Sequence, residues 1–370
     1  VRLAEILALR PVPAAGLFLA LTRRCPLRCA HCSTDSSLSS EEHPAAPFRR
    51  LVGSFTTDDR PELILMSGGE ALLRPALVRD LANLARELGT RSYVISGMFF
   101  ARRAGPIPPR LREAIDAVDH FAASLDEFHE REVRREDVFA VLDELLCAGK
   151  DCSLQVVGRG TGDAYLRGLL DAVHARFGPA LPVLVGSVGA AGRALEWLPP
   201  PQLRAARADP PGPLAVLAEP CALANWPLVG YDGTVLACCH QEILDSGRPP
   251  PHLVLGHARQ DGWATLRERY LRSPMLRGLR TFGPRYLRAA FAAGETPCAG
   301  YCATCERLPG AAMEPALAAY LATPGAQLLE SEVRRMAVEA GAAGFVRRYG
   351  IPEYAPLVGI ESALATEGGR

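Results

Sequence analysis

Short apolar runs alternate with amphipathic stretches along the first half of the chain. Leu17-Phe18-Leu19-Ala20-Leu21 and Glu62-Leu63-Ile64-Leu65-Met66 read as strands, followed by further strands at 92–96, 121–126, 153–157 and 183–185. Helical spacing appears near 47–55, over 75–88, near 110–118, and over 137–148 and 163–177, with Pro75 at an acceptable first-turn position. Six strands, each followed by a helix or long loop, imply a parallel sheet with right-handed crossovers. Ligands in such folds sit at the C-terminal ends of the strands. Residues 1–15 read as a short lead-in, too brief for an independent leader-peptide-binding domain.

The pattern changes after a Pro-rich linker at 199–213. Asp232-Gly233, flanked by Pro227-Leu228-Val229 and Thr234-Val235-Leu236, predicts a hairpin. Residues 263–279 alternate Arg with Leu and Tyr at helical spacing and read as one amphipathic helix beside the sheet. The tail after Pro315 is rich in Ala and Leu and mostly helical, suited to covering the sheet's mouth or to association.

The 370 residues carry no formal net charge, which argues against a partner bound through nucleic-acid phosphates. No apolar run is long enough to span a bilayer, and no signal peptide is visible. Lys150 is the single lysine, and the Arg, Ala, Pro and Gly abundance reads as a high-GC coding bias. Eleven cysteines, clustered at metal-like spacings, predict a reducing cytoplasmic setting and oxygen-sensitive cofactors.

Three of those cysteines lie in Cys25-Pro26-Leu27-Arg28-Cys29-Ala30-His31-Cys32, just past the first strand. Three thiolates suit an iron-sulfur cluster with one iron left open, a zinc site or a redox thiol pair. Zinc sites usually use paired Cys-x2-Cys units, whereas the spacings here are three and two. Ser67-Gly68-Gly69-Glu70 closes the second strand, where glycines let backbone approach a ligand. Together, the three-cysteine loop and Gly-Gly-Glu resemble the radical S-adenosylmethionine (SAM) superfamily. The resemblance implies that Cys25, Cys29 and Cys32 hold a 4Fe-4S cluster and that Gly68, Gly69 and Glu70 contact SAM. It also implies SAM contacts for Ser124 and Asp126, at the end of the fourth strand, and for Arg159, after the fifth. His31 and His129 read as structural or substrate-facing and not as metal ligands. Gly192-Arg193-Ala194 is similar to a segment beyond the sixth strand in family members that carry a further cluster domain.

Cysteine returns at Cys221, Cys238 and Cys239, and again in Cys298-Ala299-Gly300-Tyr301-Cys302-Ala303-Thr304-Cys305. Cys, a spaced Gly and a Cys four residues on resemble the SPASM/Twitch extension of radical SAM enzymes. The shorter Twitch form implies one auxiliary 4Fe-4S cluster on Cys221, Cys238, Cys302 and Cys305, with Cys239 or Cys298 as possible replacements and a zinc knuckle as the plain alternative. Cys147 and Cys152 read as buried small apolar residues.

The expected fold is α/β: a partial (β/α)6 TIM-like barrel over 1–200, a small hairpin-containing auxiliary cluster domain over 214–310, and a helical extension over 311–370. The resemblance implies two 4Fe-4S clusters, SAM, and a reductant such as flavodoxin or ferredoxin. SAM is then cleaved to a 5′-deoxyadenosyl radical that takes hydrogen from substrate. The expected outcome is epimerisation or oxidation of a carbinol carbon in a carbohydrate or aminocyclitol antibiotic intermediate. An epimerase needs a hydrogen donor, for which Cys239 is preferred over Cys298. A peptide maturase forming a crosslink or epimer is the alternative, and a non-catalytic SAM-binding scaffold a further one.

Overall fold

A computed structural model describes residues 1–103, 105–198, 218–245, 247–292 and 300–359. The linker at 199–213 and Cys298 lie outside them. Six parallel strands run in simple order: β1 (Gly16–Ala20), β2 (Leu63–Ser67), β3 (Arg91–Ser96), β4 (His120–Ser124), β5 (Cys152–Gly158) and β6 (Val183–Ser187). A helix α1 (Leu3–Ala8) precedes β1. The crossovers carry α2 (Ala46–Val52), α3 (Pro75–Glu87), α4 (Pro109–Ala117), a single turn α5 (Glu127–Glu130), α6 (Arg135–Cys147) and α7 (Ala164–Phe177). In α3, Leu77, Val78, Leu81, Ala82 and Ala85 recur at helical spacing and are buried against the sheet. Asp163 caps α7 by accepting from Leu166 N at 3.1 Å. This is the expected open, partial barrel.

The hairpin forms where Asp232-Gly233 predicted it, and Gly233 takes φ +99°. Its strands β7 (Leu228–Val229) and β8 (Thr234–Leu236), with β9 (Val254–His257), extend the barrel sheet itself in the order β6-β5-β4-β3-β2-β1-β7-β8-β9. Strand β7 runs parallel to β1, pairing Phe18 with Leu228, and β8 returns antiparallel.

Helices α8 (Gln241–Asp245), α9 (Trp263–Arg272), α10 (Pro274–Thr281), α11 (Gly283–Phe291), α12 (Tyr301–Glu306), α13 (Gly310–Leu321) and α14 (Pro324–Tyr349) complete the described chain. The single amphipathic helix expected over 263–279 is two. Pro274 supplies no N–H to continue α9, and Ser273 caps α10 by accepting from Leu276 N. The lead-in is not a loose arm: Leu3, Ile6 and Leu7 of α1 are buried, partly against α14. The tail then closes on the free edge of β6, where Ile351 N donates to Val185 O at 3.0 Å. Cys152 is buried as expected, but Cys147 is exposed because it ends α6 on that helix's outer side. No helix among the described residues is long and apolar enough to cross a membrane.

Candidate active site

The three-cysteine loop sits at the C-terminal ends of the parallel strands and is held from three directions. From β2, Gly69 N donates to Thr22 O at 2.6 Å and Glu70 N to Arg24 O at 2.9 Å. This approach requires glycine. Gly68 takes φ +137° with a Cβ that would overlap Thr22 O, and a Cβ on Gly69 would press on Arg23 O and Arg24 O. From beyond β6, Arg193 N donates to Cys32 O at 3.0 Å, Arg193 Nε to Cys29 O at 3.1 Å and Trp197 Nε1 to Ala30 O at 2.8 Å. From α5, His129 lies beside the Cys29 sulfur.

Cys25, Cys29 and Cys32 line one cavity of about 350 Å³ with Gly68, Gly69 and a set of hydroxyls, Ser33, Thr34, Ser67, Ser124 and Ser187. Cys25 Sγ accepts from Leu27 N at 3.4 Å, and Cys32 Sγ lies 3.2 Å from Thr34 Oγ1. Burial pushes the Cys25 thiol up to about 12, so the bare loop keeps that proton.

The other predicted SAM contacts divide. Ser124 lines the cavity. Glu70 is buried behind it, with Oε1 accepting from Leu72 N at 3.0 Å and Oε2 from Gly97 N at 2.8 Å and Ser96 Oγ at 3.1 Å. Burial pushes Glu70 up to about 7 against those three donors. Asp126 is also buried; it caps α5 by accepting from Phe128 N and His129 N, and its Oδ2 holds His129 Nδ1 at 2.9 Å and His31 Nε2 at 3.5 Å. Burial pushes His129 down, but the Asp126 carboxylate outweighs it and holds the ring at about 10. For His31 burial wins, and the ring falls to about 4. Arg159 pairs with Glu127 at 3.0 Å and stacks over Phe128 and Trp197 at the surface, outside the cavity wall.

The second cysteine set also comes together. Cys238 interacts with Cys221 and Cys302, and Cys305 with Cys221, Cys238 and Cys302. Burial raises the thiols of Cys221, Cys238 and Cys305, and the Tyr301 hydroxyl beside Cys221 donates to Glu219 O at 2.6 Å. Cys239 acts on Cys238 and also lies near Arg10, a guanidinium 4% exposed and stacked on Trp226, Phe18 and Phe345.

Among the described residues, the one trio of His, Cys, Asp or Glu donor atoms within 4.8 Å of one another is His31, Asp126 and His129. Sulfurs around one tetrahedral zinc stand only about 3.8 Å apart, given a Zn–S bond of about 2.3 Å. Among the described residues neither cysteine set brings three sulfurs that close, and the three-cysteine loop fits a cluster better than a single ion.

The radical SAM superfamily model matches residues 19–173, the span from β1 through α7. Over that span, somewhat less than half of its length, the chain carries a radical SAM domain. A PqqA peptide cyclase of Gluconobacter oxydans (strain 621H) is 33% identical over 132 residues, 34% of each chain, so the match spans about a third of that relative's length. Similar solved structures include BtrN in complex with AdoMet and 2-DOIA, at TM-score 0.44 and 14% identity over 72% of this chain and 87% of that one. Native anSMEcpe with bound AdoMet and Cp18Cys peptide gives 0.45 and 12% over 68% and 79%. Sequence reasoning missed how the radical SAM loop is braced by Trp197 and by the Asp126 clamp on two histidines. Arg193 lay in the flagged Gly192-Arg193-Ala194 segment, but its role is set by contacts more than 150 positions away.

Proposed function

We propose that this radical SAM enzyme uses a 4Fe-4S cluster on Cys25, Cys29 and Cys32, with one auxiliary cluster on Cys221, Cys238, Cys302 and Cys305, to oxidise a carbinol carbon of a small polyhydroxylated substrate. When bound, SAM on a reduced cluster supplies a carbon radical able to take that hydrogen, and a second cluster supplies an electron acceptor. The chain's part is to fix the loop through Gly68, Gly69, Arg193 and His129, and to offer a hydroxyl-lined cavity beside the three sulfurs. That cavity is the observation that carries the reading, because serine and threonine hydroxyls exchange hydrogen bonds with a polyol and with SAM ribose alike.

Oxidation is put ahead of epimerisation because the preferred hydrogen donor, Cys239, does not line the cavity. An anaerobic reaction with SAM and dithionite tests the reading: 5′-deoxyadenosine must form, and a ketone must appear with cyclitol or amino-sugar substrates. A product that is unoxidised and carries one deuterium from heavy water, lost in Cys239→Ala, would establish epimerisation instead. A second reading, peptide modification, is favoured by one observation, the partial identity to a protein named as a peptide cyclase. A crosslinked or epimerised peptide product would establish it.

A further inference from the structure

The inner face of the sheet carries a polar chain that neither cysteine set uses. Along β5, Ser153, Gln155 and Val157 share one face. Val157 lines the cysteine cavity, and Gln155 is the half-buried residue beneath it, in register with the cavity-lining Ser124. Gln155 Nε2 lies 2.9 Å from the Tyr93 hydroxyl, Tyr93 bonds Ser153, Ser153 Oγ lies 2.8 Å from His120 Nε2, and His120 Nδ1 lies 2.7 Å from Val1 O.

The direction of each bond follows from the last. A backbone carbonyl only accepts, so His120 Nδ1 carries the proton. Burial holds His120 neutral, pushing it down to about 4, so Nε2 accepts from the Ser153 hydroxyl. Ser153 has then spent its proton and accepts from Tyr93, whose oxygen accepts from the carboxamide nitrogen of Gln155. The amide orientation is therefore not free: its nitrogen faces Tyr93, and its carbonyl oxygen accepts from no protein donor among the described residues.

We propose that Gln155 is a substrate-contacting specificity residue whose unpartnered carbonyl accepts a hydrogen bond from a hydroxyl or amino group of a small polyol, with Tyr93 and Ser153 as positioning residues. This rests on the polyol reading above and narrows it to substrates that donate at this depth of the barrel.

The test uses the full chain with its clusters reconstituted and SAM bound. Calorimetry measures binding of myo-inositol and 2-deoxystreptamine against deoxyfluoro analogues, which keep the size but cannot donate. The expected result is about tenfold weaker binding of the fluoro analogue replaced at the contacting position, falling to within about threefold in Gln155→Leu. Ser153→Ala should erode the preference with the cluster absorbance retained. Imidazole 15N shifts should show His120 protonated on Nδ1 alone in the wild type and altered in Ser153→Ala. Equal binding of parent and fluoro compounds, no binding of either, a preference that survives Gln155→Leu, or a proton on Nε2 of His120 overturns the assignment. Wild-type 5′-deoxyadenosine formation separates the two readings. Its absence defeats the enzymatic proposal, whereas its presence without a donor preference defeats only the role of Gln155.

Discussion

Glu70 offers the sharpest physical test of how the site is built. Its carboxylate is 1% exposed and accepts from two backbone N–H groups, Leu72 and Gly97, and from the Ser96 hydroxyl. Glu70→Ala leaves both backbone donors buried without partners, at roughly 1–3 kcal/mol each, while Ser96 can turn its proton elsewhere. The expected loss at pH 7 is about 3 kcal/mol in urea unfolding followed by circular dichroism. The charge adds a pH signature. Burial raises Glu70 to about 7, so the folded protein holds this proton more tightly than the unfolded chain does. A raised acid contributes its stability below the unfolded value near 4.5 and loses it as pH climbs through 7. The stability of the wild type relative to Glu70→Gln should therefore fall by about 3 kcal/mol between pH 4.5 and 7.5. A Glu70→Ala protein within about 0.5 kcal/mol of wild type, against that expected unsatisfied-donor cost, would refute the structural role. Parallel pH profiles for wild type and Glu70→Gln would refute the burial argument.

The other expectations are simpler to state. Alanine at Cys25, Cys29 or Cys32 should remove about four of about eight irons and end 5′-deoxyadenosine formation, and alanine at Cys221 or Cys305 should remove the other four and keep it. Electron paramagnetic resonance of the reduced protein distinguishes the two losses. Gly192→Val forces a side chain onto φ +53° and against Cys32 O, so it should lower stability by about 2 kcal/mol and slow iron uptake, measured by the growth of cluster absorbance. Gly16→Ala drives a methyl into the Trp226 ring and should cost about 1–3 kcal/mol by thermal or urea melting.

Most of the barrel could be read from the chain because each strand is a local apolar run and each crossover helix carries its own period. The cysteine loop and Gly68-Gly69-Glu70 were legible for the same reason, being contiguous. The braces were not. Arg193 reaches Cys29 and Ser36 across the open side of the barrel, and nothing local to Arg193 distinguishes it from a solvated arginine. Arg10 was equally silent: of its partners Phe18, Trp226 and Phe345, two come from distant parts of the chain. Pro274 was visible but was overridden by the Arg and Leu periodicity around it, although a missing N–H outranks a weak amphipathic pattern. The hairpin's existence followed from Asp232-Gly233, whereas its attachment to β1 depends on an edge that only the assembled sheet defines.

That attachment decides how the two cysteine sets stand to each other. β1 is hydrogen-bonded to β2 on one side and to β7 on the other, and the loop after its C-terminal end carries Cys25, Cys29 and Cys32. β7 runs the same way, so its turn lies at that same end, and Tyr231 there comes near Cys32. β8 runs back, which carries Cys238 and Cys239 toward the opposite end of β1. Five residues of strand separate the two ends, about 13 Å. The first set lines the cavity at the C-terminal ends of the strands, and the second set does not line it. Direct hydrogen return from Cys239 requires that sulfur to leave Arg10 and enter the lumen. Loss of an electron to a second cluster would require no such movement.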